Sequence, residues 1–441
     1  YYCEYTGDKL PEVFYGRFSA TSVEQLQPQI DKTLMLEKYT ISDPSYLDNV
    51  ILVAGVDAGA APTYGNGFVN YANDYYTNSE NGINSYYYLY NDASGVMSSN
   101  NSEASASIRS YFNAGVSVAN YTAHCGPSGW SDPSFSISHI PALTNENMYP
   151  LVIGNCCQSV KFEGNSFGEE IVRASGKGAV AYIGGSDYTY WDEDYYWGVG
   201  LASVSANPTY EGSGLGSYDR FFHLNGESKE DWYITQGQML VAGNLAVEES
   251  SSTRKAYYWE IYHLMGDPSL TPYVTVPEVL TASYNSELII GSTSLQVTTE
   301  QDAYVALSKD GVLLDAKLVG SSGLVELNFE TINDATPLDL VITKQNRQPV
   351  IDEIIAIPAT SPYITLNEFS INDATENNNG YADFAETISL NISLKNISDA
   401  YNAYDVNAIL NTNDTNVVIN DNAQSFGNIA YLDDSLINQA F

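Results

Sequence analysis

Two residues able to act on a peptide bond, His124 and Cys157, each stand just beyond a short apolar run. Val116, Val118 and Ala119 lead through Thr122-Ala123 to His124, and Leu151-Val152-Ile153 leads through Gly154-Asn155-Cys156 to Cys157. A sulfur nucleophile needs a neighbour that takes its proton and later gives one to the leaving amine, and imidazole does both. It also needs backbone N–H groups aimed at the developing oxyanion, which a strand-to-loop turn supplies. A third candidate, Asp57, follows the run Val50-Ile51-Leu52-Val53-Ala54 in the same way. The histidine precedes the cysteine by a short gap, the reverse of the papain order. The pattern points to a cysteine peptidase of caspase-like arrangement.

The elements that must position these residues read as an α/β domain over 1–275. Thr21-Ser22-Val23-Glu24 is a capping-box signature, and Val23, Leu26, Ile30 and Leu34 then line one helical face. Ser166-Phe167-Gly168-Glu169 is a second such signature, predicting a helix that runs to Gly176, and Ala179-Val180-Ala181-Tyr182-Ile183 is another apolar run. Strands without polar alternation belong to parallel sheets covered on both faces. Ligands of such sheets bind beyond the carboxyl ends of the strands, where Asp57, His124 and Cys157 all fall. The domain is therefore expected to carry a mostly parallel sheet flanked by helices.

Near Thr275 the texture changes. Short alternating strands and the hairpin signal Lys309-Asp310-Gly311 predict an immunoglobulin-like β-sandwich over 277–358. Pro358-Ala359-Thr360-Ser361-Pro362 reads as a linker. Alternation at Ile388, Leu390, Ile392 and Leu394 then opens a further β-domain, 362–441, that stops short of a full sandwich. The acidic, Asn-rich loop from Asn372 to Asp383 offers oxygen ligands for calcium, although a solvated loop has the same composition.

Composition narrows the partners. The 441 residues are 44% apolar and 16% charged, and 54 acidic against 17 basic residues leave a net charge of −37. Such a field repels nucleic acid and anionic membranes and attracts basic substrates. No stretch approaches the roughly 18 apolar residues of a membrane span. No leader pattern opens the chain, which starts in what reads as mid-domain, as a processed or truncated product does. The four cysteines, Cys3, Cys125, Cys156 and Cys157, suit neither a disulfide scaffold nor zinc, for which C-x-x-C and H-x-x-x-H spacings are missing. His139, in a polar loop, His223, after two phenylalanines, and His263, in the helix-like segment 257–265, lack a cysteine at a comparable strand end.

Asn120-Tyr121-Thr122-Ala123-His124, Trp130-Ser131-Asp132-Pro133, Gly154-Asn155-Cys156-Cys157, the run from Tyr190-Trp191-Asp192-Glu193-Asp194 to Trp197, and the run from Tyr257-Tyr258-Trp259 to Gly266-Asp267 occur in one order. Together they resemble the gingipain family of cysteine peptidases, in particular its lysine-specific branch, over about residues 1–358. The resemblance implies a secreted endopeptidase with a caspase-like domain, an immunoglobulin-like domain and no cofactor in the chemistry. It makes Cys157 the nucleophile, His124 the base, Asp57 the residue that orients the imidazole, and Cys156 a buried strand-end residue. It places Asp194 at the base of the specificity pocket. Asn155 and the Thr122 carbonyl would take the remaining donors of a lysine ammonium, and Tyr190 and Trp191 would wall its stem.

The family's oxyanion N–H groups map to Cys157 and Cys125. Cys125 stands where the family has glycine, adds a third thiol, and so suggests inactivating oxidation with Cys157. Pro127 replaces a family glutamate near the pocket entrance. A structural calcium is implied, with Asp8, the Phe162 carbonyl and Glu169 as its ligands. Protein or peptide substrates with basic residues are the implied partners, and export by the type IX route the implied localisation. Cleavage after arginine and a catalytically silent surface adhesin are the rival readings.

Overall fold

The computed structural model describes residues 3–92, 94–358, 360–412 and 414–441. Ala359, within the expected linker, lies outside them. Contacts divide the chain into two units, one reaching to Val279 and including Gln345–Gln348, the other formed by Leu280–Lys344 and Pro349–Phe441.

The first unit is built on six strands, β1 (Asn49–Ala54), β2 (Asn84–Tyr88), β3 (Val118–Thr122), β7 (Leu151–Asn155), β8 (Ala181–Gly185) and β9 (Tyr262–Met265), in the order β2-β1-β3-β7-β8-β9. Between β3 and β7 lie three two-residue strands, β4 (Cys125–Gly126), β5 (Gly129–Trp130) and β6 (Phe135–Ser136), which pair with one another. The first five strands of the large sheet run parallel, and β9 closes its edge antiparallel to β8.

The central strands β1, β3, β7 and β8 are buried along nearly their whole length because both faces are covered. In β1, Val50, Leu52 and Ala54 enter one core while Ile51 and Val53 enter the other, as a period of two requires. The first core is completed by side chains from α2 (Tyr64–Tyr75), α5 (Trp191–Val199), α6 (Ser217–Phe222), α7 (Gln236–Glu249) and α8 (Lys255–Ile261). Helices α3 (Asn101–Ala114) and α4 (Phe167–Arg173) cover the opposite face. The remaining helix, α1 (Val23–Glu37), reaches α4 through Lys32, a buried lysine whose Nζ donates to the carbonyls of Val172 and Ala179.

Several local expectations shift. Helix α1 is capped at Ser22, and the Thr21 amide and hydroxyl donate to Gln25 rather than engaging Glu24. The capping box at Ser166 forms, but α4 stops at Arg173, before Gly176. His263 lies on the edge strand β9, not on a helix. Among the described residues no helix is long and apolar enough to cross a membrane.

The second unit holds two apolar cores. In the first, a three-stranded and a five-stranded sheet share one interior, with Leu295, Val297 and Leu327 from one meeting Val305, Leu307, Leu340 and Ile342 from the other. Asp310 and Gly311, both at positive φ, make the two-residue turn between Lys309 and Val312. The second core gathers Ile392, Ala403, Phe426 and Ile429 from two small sheets. In its acidic loop, Asp373 accepts from the amides of Asn379 and Gly380, and Asp383 accepts from the side-chain amides of Asn377 and Asn379.

Candidate active site

The ladder between β3 and β7 ends at Thr122 opposite Asn155, and two residues further along each strand stand His124 and Cys157. Equal offset from one rung brings both to the same rim of the sheet. The next strand over, β1, ends opposite Thr122 at Ala54, and Asp57 follows it. Gly55 lets these strand ends close up: its N–H donates to the Thr122 carbonyl, and a Cβ there would lie 2.5 Å from Ala123 Cβ and 2.6 Å from the Tyr121 hydroxyl. That hydroxyl donates to the His124 and Asp132 carbonyls, fixing the turn that carries the imidazole.

Asp57 Oδ2 lies 2.7 Å from His124 Nε2, while its Oδ1 accepts from the amides of Gly59 and Ala60. The Ala60 amide, with the imidazole and the Gly59 amide, holds the Asp57 carboxyl below its usual range, so it is ionised at neutral pH. With Nε2–H directed to Asp57, Nδ1 is the imidazole nitrogen left for chemistry. The Trp191 ring packs edge-on against His124 with centroids 5.8 Å apart.

Cys157 is half-buried, and its thiol faces the Thr189 carbonyl at 3.7 Å rather than bonding to His124. Burial pushes its pKa up, and the Asp194 carboxylate adds to the rise. The resting sulfur is therefore a thiol whose thiolate forms only on transfer of its proton. The Cys157 N–H meets no acceptor outside its own residue among the described residues. Cys125, whose N–H is the other expected oxyanion donor, is held in β4 opposite Trp130.

The sulfur pairing differs from expectation. Cys125 is joined to Cys156, not to Cys157, so the third thiol is absent and Cys157 is left free. Successive residues leave a strand on opposite sides. Cys156 points into the core beneath α4 while Cys157 stays at the rim.

A second constellation surrounds Asp194 on α5. Its Oδ1 accepts from the hydroxyls of Tyr258 and Tyr262 at 3.0 and 2.6 Å, and its Oδ2 from Thr189 at 2.8 Å. Burial raises its pKa to about 7 despite these donors. Asn155 donates weakly to the Asp194 carbonyl at 3.5 Å. Asn155 Oδ1 and Thr122 Oγ1 are buried without a hydrogen-bond partner among the described residues. Tyr190 lies under the Arg254 guanidinium, 3.8 Å from its ring centre, and Arg254 pairs with Glu193.

A search for family signatures matches residues 1–273 to peptidase family C25. The chain belongs to that family. It is 39% identical to Lys-gingipain HG66 of Porphyromonas gingivalis over 374 residues, covering 82% of this chain and 21% of that protein. Gingipain R2 of the same organism is 25% identical over 355 residues, covering 79% of this chain and 44% of that protein. The chain thus spans about a fifth of the length of the Lys-gingipains it matches. A solved "Structure of Protease" superposes with a TM-score of 0.73 at 39% identity, covering 80% of this chain and 77% of that one. The Arg-specific cysteine proteinase gingipain R superposes at 0.64 with 24% identity and 80% and 77% coverage, a likeness of fold alone.

Of the expected calcium ligands in this C25 domain, Glu169 accepts from Ser166 at the cap of α4 and from Ser19, and pairs with Arg173. Asp8 groups with Glu4 and Glu12, and the Phe162 ring lies tilted against His263 with centroids 4.7 Å apart. The other histidines of the domain have structural partners. His139 serves the Ser136 cap, His223 stacks on Trp232, and His263 bonds Ser186, its pKa lowered to about 4 by burial. Sequence reading missed Thr189, Tyr258 and Tyr262 around Asp194. The four-residue spacing of the two tyrosines was their one visible signal.

Proposed function

We propose that the C25 domain is a cysteine endopeptidase that cleaves after lysine. The observation that carries the reading is the Asp57–His124 pair standing at the same sheet rim as Cys157, with His124 and Cys157 each two residues past the last shared rung. As sulfur attacks the scissile carbonyl carbon, its proton passes to His124 Nδ1, and the ion pair with Asp57 stabilises the imidazolium. The carbonyl oxygen becomes an oxyanion received by the N–H groups of Cys157 and Cys125. Collapse breaks the C–N bond, with the Nδ1 proton going to the leaving amine. Water, deprotonated by the same nitrogen, then releases the acyl group and restores the thiol.

Asp194 supports a cationic side chain at the position before the cleaved bond. An ammonium has three donors; Asn155, which donates to the Asp194 backbone carbonyl, and Thr122, its rung partner, each keep a buried side-chain oxygen without a partner among the described residues, while the expected Thr122 carbonyl already accepts from Gly55. Lysine, a compact cation, suits such a cluster, and the greater likeness to Lys-gingipain than to gingipain R2 agrees. Tyr190 and Trp191 would flank its stem. The net charge of −37 draws basic chains toward the site. A disulfide beside the site fits an oxidising compartment, hence export, with type IX secretion the route we favour.

Parallel assays with lysyl and arginyl chromogenic peptides test the reading. Cleavage of the lysyl substrate, lost in Cys157→Ala and in His124→Ala, is expected. Equal or greater arginyl cleavage refutes the specificity, and no cleavage of either by the wild type refutes the activity.

A further inference from the structure

Nucleophile and base leave neighbouring strands, and the hydrogen-bonded ladder that aligns those strands stops two residues before either one. Beyond its last rung the imidazole packs against the edge-on Trp191 ring, and the His124 backbone carbonyl is held by Tyr121 and Ser131. The His124 side chain is 54% exposed, and its one hydrogen bond among the described residues goes to Asp57. What joins the two loops is covalent. Cys125, directly after His124, is disulfide-bonded to Cys156, directly before Cys157, with Cα atoms 5.4 Å apart. The Cys125 sulfur also lies 3.1 Å from the Cys157 carbonyl oxygen. One end of the bridge is anchored, since Cys156 is fully buried in the core beneath α4. The other borders an open groove of about 850 Å³ lined by Gly126, Ser128, Trp130 and Ser131.

We infer that the Cys125–Cys156 disulfide is a positioning element for the catalytic pair, closing the ladder across the site and holding His124 in register with Cys157. The inference rests on the peptidase reading above. It gives the enzyme a particular redox requirement. Cys157 must be a reduced thiol while the bridge beside it stays oxidised, so a reductant that restores the first dismantles the second. A phosphine entering by the groove attacks the Cys125 sulfur and breaks the S–S bond. Hydrolysis of the phosphonium by water then leaves two thiols and a phosphine oxide.

The test titrates the full chain with a water-soluble phosphine, follows lysyl-peptide hydrolysis, and maps the 125–156 link by mass spectrometry. Activity should rise as any oxidised Cys157 is recovered, then fall as the link opens. Loss of the link should lower kcat by about 10- to 100-fold with KM within about twofold, the mark of misplacement rather than lost binding. A Cys125→Ala/Cys156→Ala variant should start at the low kcat and show no falling limb. A kcat within twofold of the linked enzyme in both unlinked forms, whatever happens to melting temperature, overturns the inference.

Alkylation of Cys157 by iodoacetamide supplies a readout independent of peptide cleavage. In the linked protein its pH profile should depend on His124, and in the unlinked protein it should match that of His124→Ala. If the wild type splits no lysyl peptide yet shows this contrast, the assigned activity fails while the positioning role stands. If linked and unlinked proteins alkylate alike, the positioning role falls.

Discussion

If the proposed lysine pocket is right, the pH dependence of lysine selection follows from Asp194. Burial holds this carboxyl near pH 7, so in the free enzyme it is charged above neutrality and protonated below it. A lysine ammonium needs the carboxylate, whereas an uncharged side chain of similar length, norleucine, gains nothing from it. Because kcat/KM reports free-enzyme ionisations, the ratio of kcat/KM for matched lysyl and norleucyl peptides isolates Asp194, the imidazole and thiol being common to both. With a value of about 7, roughly 1% of the sites are ionised at pH 5, so the ratio should be about 100-fold lower there than above pH 8, falling about tenfold per unit. In Asp194→Asn the ratio should be small and flat. The lysyl kcat/KM should drop by about 2–5 kcal/mol of transition-state binding, the scale for removing one partner of a buried charged pair. A Lys/Nle ratio that stays constant from pH 5 to 9 in the wild type, or a slope that survives in Asp194→Asn, refutes the assignment.

Asp57→Asn should lower kcat by about 100-fold, since the imidazolium formed during attack loses its counter-charge while the ring keeps a hydrogen-bond partner; single-turnover kinetics would show it, and an unchanged acylation rate would remove Asp57 from the machinery. Gly55→Ala should cost activity at little change in helix content, because its Cβ would lie 2.5 Å from Ala123 Cβ and push apart the strand ends that carry Asp57 and His124; peptide assays beside far-UV circular dichroism decide it. Lys32→Met should destabilise the domain by about 1–3 kcal/mol in denaturant unfolding at pH 8, since the Val172 and Ala179 carbonyls lose their donor. Stability also bears on Asp194. Its folded pKa lies above the unfolded one, so its contribution is full below pH 4 and lost as pH rises through 7; Asp194→Asn should therefore melt higher than the wild type at pH 8 and not at pH 4.

The placement of His124 and Cys157 was legible because buried parallel strands announce themselves as apolar runs, and ligands bind past their ends. One rung, Thr122 opposite Asn155, then sets Cys157 beside His124 without any side-chain information. The sulfur pairing was not read, although the strand period contains it. Cys156 and Cys157 must face opposite ways as β7 ends, and the inward one is the partner able to reach Cys125 across the neighbouring strand. The capping role of Glu169 was legible from the Ser166-x-x-Glu169 spacing, whereas its bond to Ser19 joins it to a distant partner that no local pattern shows. Two of the three hydroxyls on Asp194 come from α8 and β9, far along the chain, and no local pattern ties Tyr258 or Tyr262 to it.

Binding and ionisation at this site act on one another through charge. Two causes raise the Cys157 pKa, burial first and the Asp194 carboxylate after it. Without a cation in the pocket the carboxylate opposes a second negative charge close by, so the sulfur rests as a thiol, the form least prone to oxidation. An ammonium seated against Asp194 cancels that opposition, because the field at sulfur is then that of an ion pair rather than of a lone anion. Burial is untouched by the change, and the cost it imposes falls to His124, whose Nδ1 takes the proton only as the carbon–sulfur bond forms. On the proposed reading, lysine in the pocket would thus promote the ionisation that its own peptide bond requires, whereas a neutral side chain would leave both obstacles in place.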